Sequence, residues 1–137
     1  REMMMASLQG GLAFQKGLGA GHAMSHPLGA LPGLTVHHGT ANAILLPAVL
    51  RFNEPACAAK YARLRGALGL RPGTDLAAWA RDFTARLGLP VSLRQVGVPR
   101  EALPRLAEAA TLDFSARTNP RPASAADYLR LYHEAHE

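Results

Sequence analysis

Four of the six histidines fall between positions 22 and 38 of the 137-residue chain. His22 and His26 are four residues apart. On a helix that spacing places both imidazoles on one face, one turn from each other. Imidazole nitrogen suits a borderline divalent metal, so the pair could provide one or two ligands. His38 could return to the same point from the start of a following helix. Neutral donors alone leave a divalent ion poorly compensated, and a carboxylate is expected with them. None occurs between Glu2 and Glu54, so it must come from further along or from outside the chain. An HxxxH pair is also compatible with helix capping or with a hydrogen bond to a carbonyl, and His37-His38-Gly39 with an ordinary turn. His133 and His136 fall on the polar side of a terminal helix and read as surface residues.

The elements that must hold these groups are helical. Met4, Leu8 and Leu12 fall on one helical face, with no Ser, Thr, Asp or Asn ahead of them as a cap. Asn53 reads as an N-cap for a helix striped by Cys57, Tyr61, Leu64 and Leu68 and stopped at Gly69. Leu70 to Gly73 form a loop. Thr74 or Asp75 caps the next helix, whose apolar face is Leu76, Trp79, Phe83 and Leu87, closed by Gly88. Leu89 to Val98 alternate weakly and read as an extended connector. Pro99 and Pro104 suit the first turns of two short helical pieces lined by Leu103, Leu106 and Ala110. Thr118 to Pro122 must be loop. Ser124 and Asp127 form a capping box for a last helix carrying Tyr128, Leu131, Tyr132 and Ala135. No paired strands are evident. The predicted class is all-α, one domain over residues 1–137.

Composition narrows the function further. Apolar residues at 48% and charged residues at 18% describe a globular chain. The single cysteine, Cys57, excludes an internal disulfide and a cysteine-only metal cage. The apolar stretch Ala41 to Leu50 is too short to span a bilayer and contains Pro47. No secretory leader is recognisable, so no membrane association and a cytoplasmic location are expected. The net charge of +5 raises the question of nucleic acid. The arginines are scattered and do not interleave with aromatics, so a solvated basic surface without a nucleic-acid partner is expected.

Several blocks resemble the iron-containing, group III alcohol dehydrogenases. They are Gly17-Leu18-Gly19 with His22-Ala23-Met24-Ser25-His26-Pro27-Leu28-Gly29-Ala30, then His38-Gly39-Thr40-Ala41-Asn42-Ala43-Ile44-Leu45-Leu46-Pro47, then Arg51-Phe52-Asn53 and Thr118-Asn119-Pro120-Arg121-Pro122. The resemblance covers nearly the whole chain. It implies a two-part enzyme, with an α/β nucleotide-binding domain followed by a helical, metal-carrying domain. This chain corresponds to most of the second part, incomplete on its N-terminal side. The family's metal is held by one Asp and three His. The resemblance maps two of these ligands onto His22 and His38 and places the other two upstream of Arg1. It places His26 beside nicotinamide and substrate as a non-ligand, and Phe14 near the wall of the nicotinamide pocket. The family usually has Pro where His37 stands, and the loop Leu31 to Val36 is longer than expected, which leaves His37 as a rival to His38. The Gly39-Thr40-Ala41-Asn42 block favours the alcohol dehydrogenase branch over maleylacetate reductases.

The implied cofactors are a divalent metal, Fe²⁺ or alternatively Zn²⁺, and NAD or NADP. The implied reaction passes hydride between a small alcohol or aldehyde and the nicotinamide. The complete protein is expected to be a homo-oligomer, a dimer, and the 137-residue chain alone to be inactive. Two other readings compete. A dehydroquinate-synthase-like cyclase would need more cations for phosphate, yet Lys16 is the only Lys or Arg between residues 10 and 45. A non-enzymatic helical interaction module fits the basic charge and leaves the histidine blocks unexplained.

Overall fold

Residues 1–137 are described by a computed structural model containing six α-helices and no strand. The helices are α1 (Glu2–Phe14), α2 (Ala20–Leu28), α3 (His38–Ala67), α4 (Leu76–Arg86), α5 (Leu103–Leu112) and α6 (Ala125–His136). Two short 3₁₀ helices, Arg100–Ala102 and Phe114–Thr118, precede and follow α5. The all-α class expected from the periodicity is what the chain adopts.

α2 is the centre of the bundle. It packs on α3, on α5 and on the Phe114–Thr118 turn, while α6 closes against α3 and α5. Its inner face is Ala20, Ala23, Met24 and Leu28, all at 1% exposure or less. Small residues on that face let α3 approach closely with Ala41, Ile44, Leu45 and Ala48. α6 contributes Tyr128, Leu131 and Tyr132 to the same core, as its stripe predicted. Each buried Leu or Met here contributes about 1.5–3 kcal/mol of apolar burial. The Tyr132 hydroxyl donates to the Met24 carbonyl at 2.6 Å, fixing α2 to α6 midway between His22 and His26.

α3 corrects the sequence reading at Asn53. The helix does not start there but runs unbroken for 30 residues, through Pro47 and Pro55. Each proline removes one backbone donor, and burial of Phe52, Asn53 and Cys57 outweighs that loss. Asn53 is 6% exposed, and its amide turns across the bundle rather than toward its own backbone. It exchanges two hydrogen bonds with Asn119: Asn53 Nδ2 donates to Asn119 Oδ1 at 2.9 Å, and Asn119 Nδ2 donates to Asn53 Oδ1 at 2.8 Å. Asn119 Oδ1 also accepts from the Ala20 backbone N–H, and its Nδ2 donates to the Arg121 carbonyl. Arg121 lies over the Phe52 ring, 4.1 Å from its centroid, and donates to the Phe52 carbonyl. Around this junction Gly17 takes φ +96°, and a Cβ there would meet the Thr118 side chain at 2.6 Å.

Other expectations hold with changes. Asp75 caps α4, accepting from Ala77 and Ala78. The packed face of α4 is Leu76, Ala77, Ala80 and Thr84, not the Trp79–Phe83–Leu87 line. Trp79 and Phe83 instead stack on each other at 5.3 Å, away from that face. Leu64 and Leu68 are likewise largely exposed. The Leu89 to Val98 segment is a series of turns rather than extended chain, closed by Val98 N–H donating to the Leu93 carbonyl. His136 is buried, not on the surface, because its Nε2 reaches the Val98 carbonyl at 3.0 Å. α1 forms where its periodicity placed it, without a side-chain cap and with no buried residue.

Two stability measurements follow. Asn119→Ala leaves the buried Asn53 amide and the Ala20 N–H without their partner. It is expected to lower unfolding free energy by about 1–3 kcal/mol, and the Asn53→Ala, Asn119→Ala double variant to lose less than the sum of the singles. In the capping box, the Ser124 hydroxyl and backbone N–H donate to Asp127 and hold its carboxyl below the usual carboxylate range. A folded-state value below the unfolded value of about 3.9 contributes stability above that pH, lost as pH falls through the folded value. Asp127→Asn should therefore show a shallower fall in urea midpoint on acidification than the wild type.

Candidate functional site

α2 begins at Ala20 because Gly19, at φ +115°, turns the chain so that the Ala20 N–H points at Asn119. That start sets the rotation of α2: Ala23 and Met24 face inward, and His22 and His26 emerge on the opposite edge. α3 begins at His38, with His37 as its N-cap residue. The three imidazoles of His22, His26 and His38 converge. Ring centroids are 5.7 Å apart for His22 and His26, 5.2 Å for His22 and His38, and 5.7 Å for His26 and His38. His37 is exposed, and its ring lies against Gly39, where a Cβ would meet it at 3.3 Å.

Two aromatic rings flank the cluster. Phe14 meets His22 edge-on at 5.9 Å, and Phe114 lies at 5.9 Å and 26° to His26. The His26 and His38 rings are nearly parallel, 15° apart. Asn42, one turn into α3, places Nδ2 3.0 Å from His38 Nε2 and donates to the His38 carbonyl. His26 Nδ1 lies 2.8 Å from Asp113 Oδ2.

Electrostatics favour neutral imidazole at His22. Burial lowers its pKa, the neighbouring His38 and His26 lower it further, and Asp113 offsets part of this. Burial pushes the Asp113 carboxyl up, but hydrogen bonds from His26 and from the Ser115 backbone outweigh it and hold the group below its ordinary value. The cluster therefore combines an unprotonated imidazole with one ionised carboxylate. A cavity of about 290 Å³ borders it, lined by His26, Pro27, Leu31, Arg105 and Asp113. A second, of about 440 Å³, runs along Leu18, His22, Asn42 and Asn119.

The structure thus brings together His22, His26, His38 and Phe14, all singled out from sequence, and leaves His37 outside. Asp113, Phe114 and Asn42 were not singled out. Asn42 stands one helical turn after His38, a spacing that could have marked it. Asp113 carries only the signature of an Asx turn with Ser115, which says nothing about a histidine 87 residues away. Its carboxylate faces His26 and is not the metal-ligating carboxylate expected from the sequence, which the resemblance places upstream of Arg1.

Residues 1–136 match the family model described as the Fe-containing alcohol dehydrogenase family, C-terminal. The chain is 50% identical over 140 residues to 4-hydroxybutyrate dehydrogenase of Cupriavidus necator, covering 97% of this chain and 37% of that protein. It is 38% identical over 143 residues to lactaldehyde reductase of Escherichia coli K12, covering 98% and 37%. Among solved structures, a 1,3-propanediol oxidoreductase superposes with a TM-score of 0.79 at 32% identity, over 86% of this chain and 32% of that one. The chain therefore spans about a third of the length of the relatives it matches. With its helical fold, its histidine cluster and a match from end to end, the chain belongs to the Fe-containing alcohol dehydrogenase family, within that family's C-terminal region.

Proposed function

We propose that this chain is the helical, metal-carrying part of an NAD(P)-linked alcohol dehydrogenase or aldehyde reductase acting on small alcohols and aldehydes. The observation that carries this reading is the convergence of His22, His26 and His38, every pair of rings within 5.7 Å. The names of the relatives, a 4-hydroxybutyrate dehydrogenase and a lactaldehyde reductase, support short oxygenated substrates.

The donor chemistry fits a borderline divalent ion such as Fe²⁺ or Zn²⁺, because imidazole nitrogen suits such ions and burial beside two other histidines lowers the pKa of His22. His22 and His38 would hold the ion. No group of three or more His, Cys, Asp or Glu side chains within the chain is arranged to hold a metal. The remaining donors, and the dinucleotide site, would come from another part of the protein. When bound, the ion supplies Lewis acidity toward an alcohol or carbonyl oxygen and the nicotinamide supplies hydride exchange.

The chain's own residues do the rest. Alcohol oxidation by NAD(P)⁺ releases one proton for each hydride transferred. His26, one turn from His22 and with a side chain 33% exposed, is the group placed to take that proton and pass it to water. Phe14 and Leu18 would form an apolar wall that keeps solvent from the nicotinamide. Holding oxygen, reacting carbon and proton acceptor in one place replaces several encounters by one bound geometry.

The complete protein tests this. It should contain one divalent metal per chain, and His22→Ala or His38→Ala should abolish both metal and turnover. His26→Ala should keep the metal and lower kcat by about a hundredfold or more. A metal content near one per chain in His22→Ala would sink the ligand assignment. Loss of metal in His26→Ala would make His26 a ligand and end its role as proton carrier.

A further inference from the structure

Asp113 is held from two sides. It precedes the Phe114–Thr118 turn, where its Oδ1 accepts the Ser115 backbone N–H at 2.8 Å. Its Oδ2 faces His26 Nδ1 at 2.8 Å, and its side chain is only 14% exposed. Phe114, the next residue, lies over the same imidazole. The carboxylate is tied to its own backbone and cannot follow the ring if the ring turns.

We propose that Asp113 is a positioning residue for His26: by accepting the Nδ1 hydrogen it fixes the tautomer whose free lone pair is on Nε2, and so decides which nitrogen meets the substrate. This rests on the reading of His26 as proton carrier. An ionised carboxylate can only accept, and a neutral imidazole has one donor and one acceptor nitrogen. With the hydrogen on Nδ1, Nε2 is the basic atom. The substrate hydroxyl proton goes to Nε2, and the imidazolium so formed keeps its Nδ1–H on Asp113, whose charge is already in place. The proton then leaves from Nε2 to solvent. Asp113 itself never takes it.

Asp113→Asn separates this role from simple packing. The variant is nearly isosteric and retains one oxygen for the Ser115 N–H. Its NH₂ then faces His26 and can only donate, which moves the ring hydrogen to Nε2. Long-range ¹H–¹⁵N spectra of the imidazoles in the metal-free chain should show the Nδ1–H tautomer at His26 in the wild type and the Nε2–H tautomer in Asp113→Asn. In the complete protein, Asp113→Asn should lower kcat at least about tenfold, with KM changed by less than about threefold and metal content unchanged. Asp113→Glu, which restores an acceptor, should recover part of kcat. A wild-type spectrum with the hydrogen on Nε2 overturns the proposal without any variant, and so does an unchanged tautomer in Asp113→Asn. A tautomer that switches in a protein without dehydrogenase activity upholds the positioning role and overturns the proposed reaction instead.

Discussion

The reciprocal amide pair of Asn53 and Asn119 is the constraint on which the arrangement depends. Asn119 sits in a loop just ahead of Pro120 and Pro122, and Arg121 of the same loop also bonds the Phe52 carbonyl. The Asn119 side chain bonds the middle of α3, the first N–H of α2 and the Arg121 carbonyl that follows it. One oxygen thereby sets where α2 starts and how α2 is turned relative to α3. Rotation of α2 by one residue, about 100°, would carry His22 and His26 out of reach of His38. The geometry of three imidazoles is thus set by two amides that carry no chemistry of their own.

The cluster also shows how a basic chain accommodates neighbouring histidines. Protonating all of them would place like charges 5–6 Å apart with a single carboxylate to offset them. The cost is avoided by keeping His22 neutral and by pairing His26 with Asp113. Most of the scattered arginines lie elsewhere: Arg51 pairs with Glu134 and Arg65 with Glu54, both far along α3 from His38, while Arg105 lines the cavity beside His26 and Asp113. The net charge of +5 therefore lies mostly away from the histidine cluster, with Arg105 at its edge.

Local signals were legible and distant ones were not. The HxxxH spacing, the capping box at Ser124 and the stripe of α6 are each written within one or two turns, and each appears as read. Asn53 two residues before Pro55 has the pattern of a helix start, and only the partner 66 residues away reveals a mid-helix crosslink. The spacing Leu76, Trp79, Phe83 and Leu87 marks one helical face, but α4 packs through Leu76, Ala77, Ala80 and Thr84, a face the apolar periodicity does not single out. His136 was assigned to solvent because its neighbours are polar, while the carbonyl it serves lies on the turn closed at Val98. Asp113 was missed for the same reason: its partner is set by the fold, not by spacing.

α2 packs on the neighbouring α3, but its side-chain hydrogen bonds run to distant parts of the chain. Its anchors reach Asp113, Asn119 and Tyr132, at separations of 87, 99 and 108 residues. Contacts of that range form late, after the loops they close have lost their freedom. On a ribosome, α2 can pack on α3 as soon as that helix is made, whereas its hydrogen-bonding anchors arrive only with Asp113, Asn119 and Tyr132. A nascent chain halted before Asp113 would carry all three histidines and still lack the carboxylate that faces His26.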